Sequence, residues 1–362
     1  MVTVTEGTFT IGSQELYTKT WLPDGAPPRA KLIVVHGFSD HIDRYYEFFP
    51  TLAARGIAVY GFDQRGWGRS VKKPADRGRT GPTATVLSDI VAFLQPHLDV
   101  DGDADGDGAA AAAAAAVPVF VLGHSMGGNE VATLMAAPVG SSLETGTVRK
   151  VRGWLLEAPF FGFAAGEAPS ALKVAAGRLA GRLLPNFQLK NPIPAEYMSR
   201  DPAVVADVRQ DALCHDTGTL EGLAALLDRV GDLASSRCPP GPGVTSLWLG
   251  HGDADPCTSF AASKAWFDTS AARVPDRTFR AYAGWLHQLH AEPVVDRQLF
   301  YKEVGDWILA RSGEAAEAAA ATTAAAAPTA NEPTAGEPVA VPANTDAAAD
   351  KTHVVHVEEA KL

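Results

Sequence analysis

Cysteine is scarce in this chain: three in 362 residues, at Cys214, Cys238 and Cys257. They are scattered and no two form a CxxC pair, which excludes a disulfide framework and a cysteine-based zinc site and points to a reducing compartment. Long hydrophobic runs are missing as well. No stretch reaches the roughly 18 apolar residues that a membrane span requires. The first residues, MVTVTEGTFTIGSQELYTKTW, alternate apolar and polar side chains and lack the basic start and apolar block of a secretion signal, so they read as β-strand. A cytoplasmic protein is expected. A basic excess is also absent. The five aspartates of residues 99–107 contribute −5, and residues 313–362, with eight acids against two lysines, contribute −6; together these make the whole net charge of −11. The remainder is neutral, which leaves no basic stripe for nucleic acid and suits an uncharged, lipid-like substrate.

What is present is a normal core former, 46% hydrophobic and 20% charged, so the chain can bury a large interior. Two segments stand apart. Residues 99–116, DVDGDADGDGAAAAAAAA, read as a solvated surface insertion, because eight alanines are too few to hold a helix alone. Asp101, Asp103, Asp105 and Gly106 imitate positions 1, 3, 5 and 6 of a calcium loop, but position 12 is Ala112 where a bidentate Glu is required, so no metal is expected. Residues 312–362 are Ala, Thr, Pro and Glu with few large apolar side chains, and are expected to be disordered. Their last three, Ala360-Lys361-Leu362, are a variant of a peroxisomal address.

Between these segments, short apolar runs alternate with helical patterns. Lys31–His36, Ile57–Phe62, Val117–Leu122, Val151–Glu157, Val244–Gly250 and Thr278–Tyr282 read as strands, and their near-continuous apolar character fits a parallel sheet covered on both faces. Helical stretches fall near 43–55, 84–98, 126–137, 259–271 and 293–310. The alternation predicts a doubly wound, mostly parallel α/β sheet in one domain, about residues 1–311. The interval between the strands near 151–157 and 244–250 is far longer than the ~2–6 residues of an ordinary connection, so an inserted cap is expected at about 160–240. Within it Leu172, Ala176, Leu179 and Leu183 share a helical face among Lys173, Arg178 and Arg182. That stripe either packs on the sheet or touches a membrane or lipid-droplet surface.

Gly123-His124-Ser125-Met126-Gly127 stands directly after one strand and opens a helix. A sharp strand-to-helix turn of this kind presents a serine hydroxyl at the C-terminal edge of a sheet, with free helix N–H groups beside it. Serine is a weak nucleophile at neutral pH and needs a base oriented by a carboxylate. In this strand order the acid and then the histidine follow later strands. The acid is Asp253 or Asp255, of which Asp255, on the far side of its loop, is better placed to reach across. The base is His287 or His290, of which His287 is nearer its strand end. Charge building on a carbonyl oxygen needs two donors, and the backbone N–H groups of Phe38 and Met126 are the candidates.

Taken together, His36-Gly37 with Arg44-Tyr45, Asp63 through Ser70, Gly123–Gly128, His251–Asp255 and Gly284–His287 resemble the monoacylglycerol lipase family of α/β-hydrolases in its fungal form. The stretch from Ser199-Arg200-Asp201-Pro202 through Asp211-Ala212-Leu213-Cys214 is similar to that family's cap. The resemblance spans about residues 8–311 and implies an α/β-hydrolase fold and a Ser125, Asp255, His287 triad with oxyanion donors at Phe38 and Met126. It implies hydrolysis of monoacylglycerol without any cofactor. Asp63–Ser70 would be a structural loop. Trp285, beside the proposed base, is expected to narrow the pocket. Lysophospholipase, thioesterase or peptidase chemistry on the same triad, and a binding protein that keeps the fold without the reaction, are the alternatives.

Overall fold

The computed structural model describes residues 1–98, 117–313 and 353–355. In chain order its first half runs β1 (Val2–Ile11), β2 (Gln14–Pro23), β3 (Ala30–Val35), α1 (Phe48–Ala54), β4 (Ile57–Phe62), α2 (Thr83–Leu98), β5 (Val119–His124), α3 (Met126–Met135), α4 (Ser142–Gly146) and β6 (Gly153–Glu157). The second half holds α5 (Ala171–Leu183), β7 (Gln188–Lys190), α6 (Pro202–Gln210), β8 (Thr217–Thr219), α7 (Leu220–Ala234), β9 (Ser246–Gly252), α8 (Phe260–Thr269), β10 (Asp276–Tyr282), α9 (Val294–Leu309) and β11 (His353–Val355). The main sheet has the order β10-β9-β6-β5-β3-β4-β2-β1-β11. From β10 to β4 every neighbour is parallel, and β2, β1 and β11 add antiparallel partners at one edge.

The central strands are sealed on both faces, as the continuous apolar runs predict. Along β3, Ile33 and Val35 join the core under α2, α3 and α8, while Leu32 and Val34 face the core under α1 and α9. This period of two is what a strand with two buried faces produces. The strand expected from Val117 begins at Val119, because Pro118 has no N–H for the ladder and offers only its carbonyl, to Lys31.

Two local readings change. The alternating N-terminus is a hairpin, β1 against β2, turned at Gly12 with φ of 58°. The helix expected at 43–55 breaks at Tyr46, whose φ is 45°, into a 3₁₀ turn over Ile42–Tyr45 and then α1. The break lets Arg44 and Tyr45 point inward, where both are buried.

Between β6 and β9 the chain leaves the sheet through α5, the two-stranded β7–β8 pair, α6 and α7. Helix α7 docks through Leu226, Val230 and Leu233 and through Arg229, which bonds Asn129 at 2.8 Å and Glu130 at 3.2 Å on α3. Helix α5 buries none of its residues. Leu172, Leu179 and Leu183 are 80%, 63% and 79% exposed, so the apolar stripe does not pack on the sheet. No helix among the described residues is long and apolar enough to cross a membrane. The acidic insertion 99–116 with its calcium-like pattern, and the tripeptide Ala360-Lys361-Leu362, lie outside the described residues.

Candidate active site

Ser125 sits between β5 and α3 with φ 55° and ψ −116°, a conformation that a non-glycine residue adopts only under restraint. The glycines around it are a matter of space. A Cβ on Gly127 would lie 2.2 Å from the carbonyl oxygen of Val35, and one on Gly123 would lie 2.5 Å from that of Gly127. The Ser125 N–H is tied to the Glu157 carbonyl at 3.0 Å, which fixes the turn against β6.

The loops after β9 and β10 bring the other two groups to this turn. His287 Nε2 lies 2.9 Å from Ser125 Oγ, and His287 Nδ1 lies 2.8 Å from Asp255 Oδ2. Of the two aspartates, Asp255 therefore meets the base; Asp253 accepts the Gly284 N–H at 2.6 Å and stays at the exposed rim of its turn. Asp255 Oδ1 accepts the N–H groups of Cys257 at 2.7 Å and Thr258 at 3.1 Å. Its Oδ2 also accepts the Thr258 hydroxyl at 2.7 Å and lies 3.0 Å from His251 Nε2. His251 and Thr258 were not singled out from the sequence. His251 opens the stretch His251–Asp255, but neither residue's role has a signal in one dimension. The histidine loop is held by the excursion between β6 and β9, since the His287 N–H bonds the Tyr197 carbonyl at 3.2 Å and the Gln288 N–H bonds that of Met198 at 2.8 Å.

Burial opposes charge on Asp255, yet His287 and the His251 hydrogen bond outweigh it and hold the carboxyl below the usual carboxylate range. Burial likewise opposes a proton on His287, and the Asp255 carboxylate reverses this, raising the imidazole above 6.5. The pair is therefore poised for His287 to accept a proton while Asp255 stays ionised.

Neither the Phe38 nor the Met126 backbone N–H donates to any other group among the described residues. Both flank Ser125, one after β3 and one at the first turn of α3. His36 shapes the approach: its Nε2 accepts the Gln64 N–H at 2.9 Å, its Nδ1 lies 2.8 Å from the Gly37 carbonyl, and burial holds it neutral with a pKa near 4. Asp63 does the structural work expected of its loop, accepting the N–H groups of Ile42 at 2.9 Å and Arg69 at 2.7 Å.

A chamber of about 220 Å³ opens beside Ser125 and His287. One wall is polar and buried. There Arg44 bonds Asp40 at 3.3 Å and Gln288 at 3.2 Å, and Asp211 and Asp216 line the side. Phe38, Ile193, Ala195, Met198 and Val208 give the chamber its apolar lining, and Phe38 also packs with the buried cluster of Met126, Trp67, Phe160, Leu226 and Val230. Trp285 lines neither wall. It stacks on Tyr282 at 4.5 Å with Arg200 over its ring, so it does not narrow the chamber as expected.

His290, the alternative base, is fully buried away from Ser125, with Nδ1 2.7 Å from Glu157. Three groups of described residues bring metal-ligating atoms within 4.8 Å of one another: His41, Asp211 and Cys214; His124, Glu157 and His290; and Asp255, Cys257 and His287.

The family described as serine aminopeptidase, S33 matches residues 26–294 of this chain. The human monoglyceride lipase is 30% identical over 310 residues, which are 84% of this chain and 90% of the relative. A monoacylglycerol lipase of Mycolicibacterium smegmatis is 28% identical over 301 residues, 83% of this chain and 95% of that one. Among solved structures, a soluble variant of the Saccharomyces cerevisiae monoglyceride lipase in complex with a substrate analog superposes with a TM-score of 0.72 at 16% identity. It covers 85% of this chain and 96% of the other, and shows a shared fold. The sheet order, the strand-to-helix turn at Ser125 and a family match that takes in most of the folded body agree, and the chain belongs to the serine aminopeptidase, S33 family of α/β-hydrolases.

Proposed function

We propose that the protein is a serine hydrolase that cleaves monoacylglycerol into glycerol and a free fatty acid. The observation that carries this reading is the continuous relay from Ser125 Oγ through His287 to Asp255, at 2.9 and 2.8 Å. Ser125 Oγ attacks the ester carbonyl as its proton passes to His287 Nε2, and Asp255 supports the imidazolium. The N–H groups of Phe38 and Met126 hold the oxyanion, each such donor being worth ~10²–10³ in rate. When the tetrahedral intermediate collapses, His287 gives its proton to the departing glycerol oxygen. A water that loses its proton to the now neutral His287 then attacks the acyl-enzyme, releasing the fatty acid and restoring Ser125.

The chamber supports the substrate class. Its buried polar wall at Asp40, Arg44 and Gln288 offers donors and acceptors to a small polyol, and Phe38, Ile193, Ala195, Met198 and Val208 offer apolar lining to an acyl chain. The relatives named monoglyceride lipase point the same way. Residues 1–311 act as the hydrolase body and about 160–240 as its cap. In this reading the cytoplasmic enzyme meets a membrane or lipid-droplet surface through α5, whose uncovered leucines sit among Lys173, Arg178 and Arg182. The test is fatty-acid release from monoacylglycerols of graded chain length, from lysophospholipid and from diacylglycerol, with amine release from an aminoacyl amide alongside. Monoacylglycerol should be turned over fastest; a clear preference for lysophospholipid or the amide overturns the substrate assignment.

A further inference from the structure

The proposed mechanism uses one of the two histidines in Leu286-His287-Gln288-Leu289-His290 and leaves a fully buried carboxylate unused. Glu157 ends β6 directly behind the nucleophile, and its backbone carbonyl is the one that accepts the Ser125 N–H. Its Oε1 accepts the His290 N–H at 3.1 Å and lies 2.7 Å from His290 Nδ1. Among the described residues its Oε2 has no hydrogen-bond partner, and it faces His124 Nδ1, likewise unpartnered, at 3.7 Å. The His124 ring lies 4.9 Å from the His287 ring, centroid to centroid. A buried charge is costly unless it is paired, so an acid at this point calls for a role.

We propose that Glu157 is a positioning residue for the general base: its carboxylate, anchored by His290, acts across the His124 ring to favour the imidazolium that His287 becomes as Ser125 attacks. The inference rests on the triad reading above. Burial opposes charge on Glu157, but His290 and then His124 outweigh it, so the carboxyl lies below its ordinary range and is anionic at working pH. His124 itself is held neutral by burial, near 3. The charged and titratable groups that face His287 are Asp255 and the neutral thiol of Cys257 from the loop after β9, His124 from β5, Glu157 from β6, and Asp40, paired with Arg44, from the loop after β3. Facing Glu157 are His124, His290 and the phenols of Tyr45, Tyr282 and Tyr301, all three of which burial pushes up so that they stay neutral. Glu157 is thus a second anion behind the base, after Asp255.

The test is the pH dependence of kcat/KM on a soluble short-chain ester, for the wild type and three variants. Glu157→Gln keeps the shape and an acceptor for His290 while removing the charge. Its acid inflection is expected to move down by about half a pH unit and its kcat to fall roughly threefold or more, with KM unchanged. Glu157→Ser supplies a smaller neutral side chain and the same expected shift should the Gln variant not fold. Glu157→Asp, which restores the charge, should return the inflection toward the wild-type position. A folded neutral variant with an unmoved inflection and wild-type kcat overturns the proposal, as does an Asp variant displaced as far as the Gln one, which would make the effect one of packing. A wild type whose kcat/KM shows no acid inflection at all would instead sink the triad reading itself.

Discussion

Replacing Asp255 with Asn tests the site at the point where its geometry is most demanding. The carboxylate takes five hydrogen bonds, at 2.7 to 3.1 Å, from His287, His251, the Thr258 hydroxyl and the N–H groups of Cys257 and Thr258. All five positions want an acceptor, and an amide has only one oxygen. If Asn keeps its oxygen toward the two backbone N–H groups, its NH₂ faces His287 Nδ1, which must then accept and leave its proton on Nε2. In that tautomer His287 cannot take the proton of Ser125. The expected loss in kcat is ~10⁴, equivalent to ~5.4 kcal/mol of barrier. Leaving the buried donors of this loop unsatisfied should cost a further ~1–3 kcal/mol of stability. Steady-state hydrolysis of a chromogenic ester measures the first, and denaturant unfolding the second. Asp253→Ala is the control: among the described residues that side chain holds only the Gly284 N–H, and kcat should change less than twofold. An Asp255→Asn enzyme within tenfold of wild type, or an equal loss in the Asp253 variant, would refute the reasoning.

Two further outcomes follow from the same geometry. Because Asp255 raises His287 above 6.5 against the pull of burial, the folded protein holds this proton more tightly than the unfolded chain does. The group therefore adds stability below its unfolded value and gives it up as pH rises through the folded one. Activity runs the other way, since only neutral His287 can accept a proton, so kcat/KM should climb with pH through an inflection above 6.5; an inflection below it would contradict the pairing. On α5, Leu172→Glu combined with Leu179→Glu removes two exposed leucines, each worth ~1.5–3 kcal/mol when buried. Partition onto anionic vesicles should weaken at least ~10-fold while hydrolysis of a soluble ester stays within twofold, as sedimentation with vesicles and a parallel assay would record.

The body of the fold was legible because its strands are apolar on both faces. Ile57–Phe62 was bounded correctly, and the other runs erred by a residue or two at their ends, where signals such as Pro118 act. The relay was legible too, since a strand-to-helix turn at Ser125 fixes where a later acid and histidine must arrive. What was hidden depends on tertiary placement. His251, near the end of β9, and Thr258, in the loop that follows, matter only because that loop turns back to bring Asp255 between them, and Glu157 meets His290 across a separation of 133 residues. The stripe on α5 shows why periodicity names an apolar face without naming its partner. The position of Trp285 two residues before His287 suggested a pocket residue, but its ring stacks back on Tyr282 while His287 reaches Ser125.

The central claim is that Ser125 is a nucleophile activated by His287, and active-site labelling tests it most directly. A fluorophosphonate probe followed by peptide mass spectrometry should place the adduct on Ser125 in the wild type, leave Ser125→Ala unlabelled, and label His287→Ala only very slowly. A folded wild-type protein that takes no probe at Ser125, or a His287→Ala variant that labels at the wild-type rate, would contradict the account.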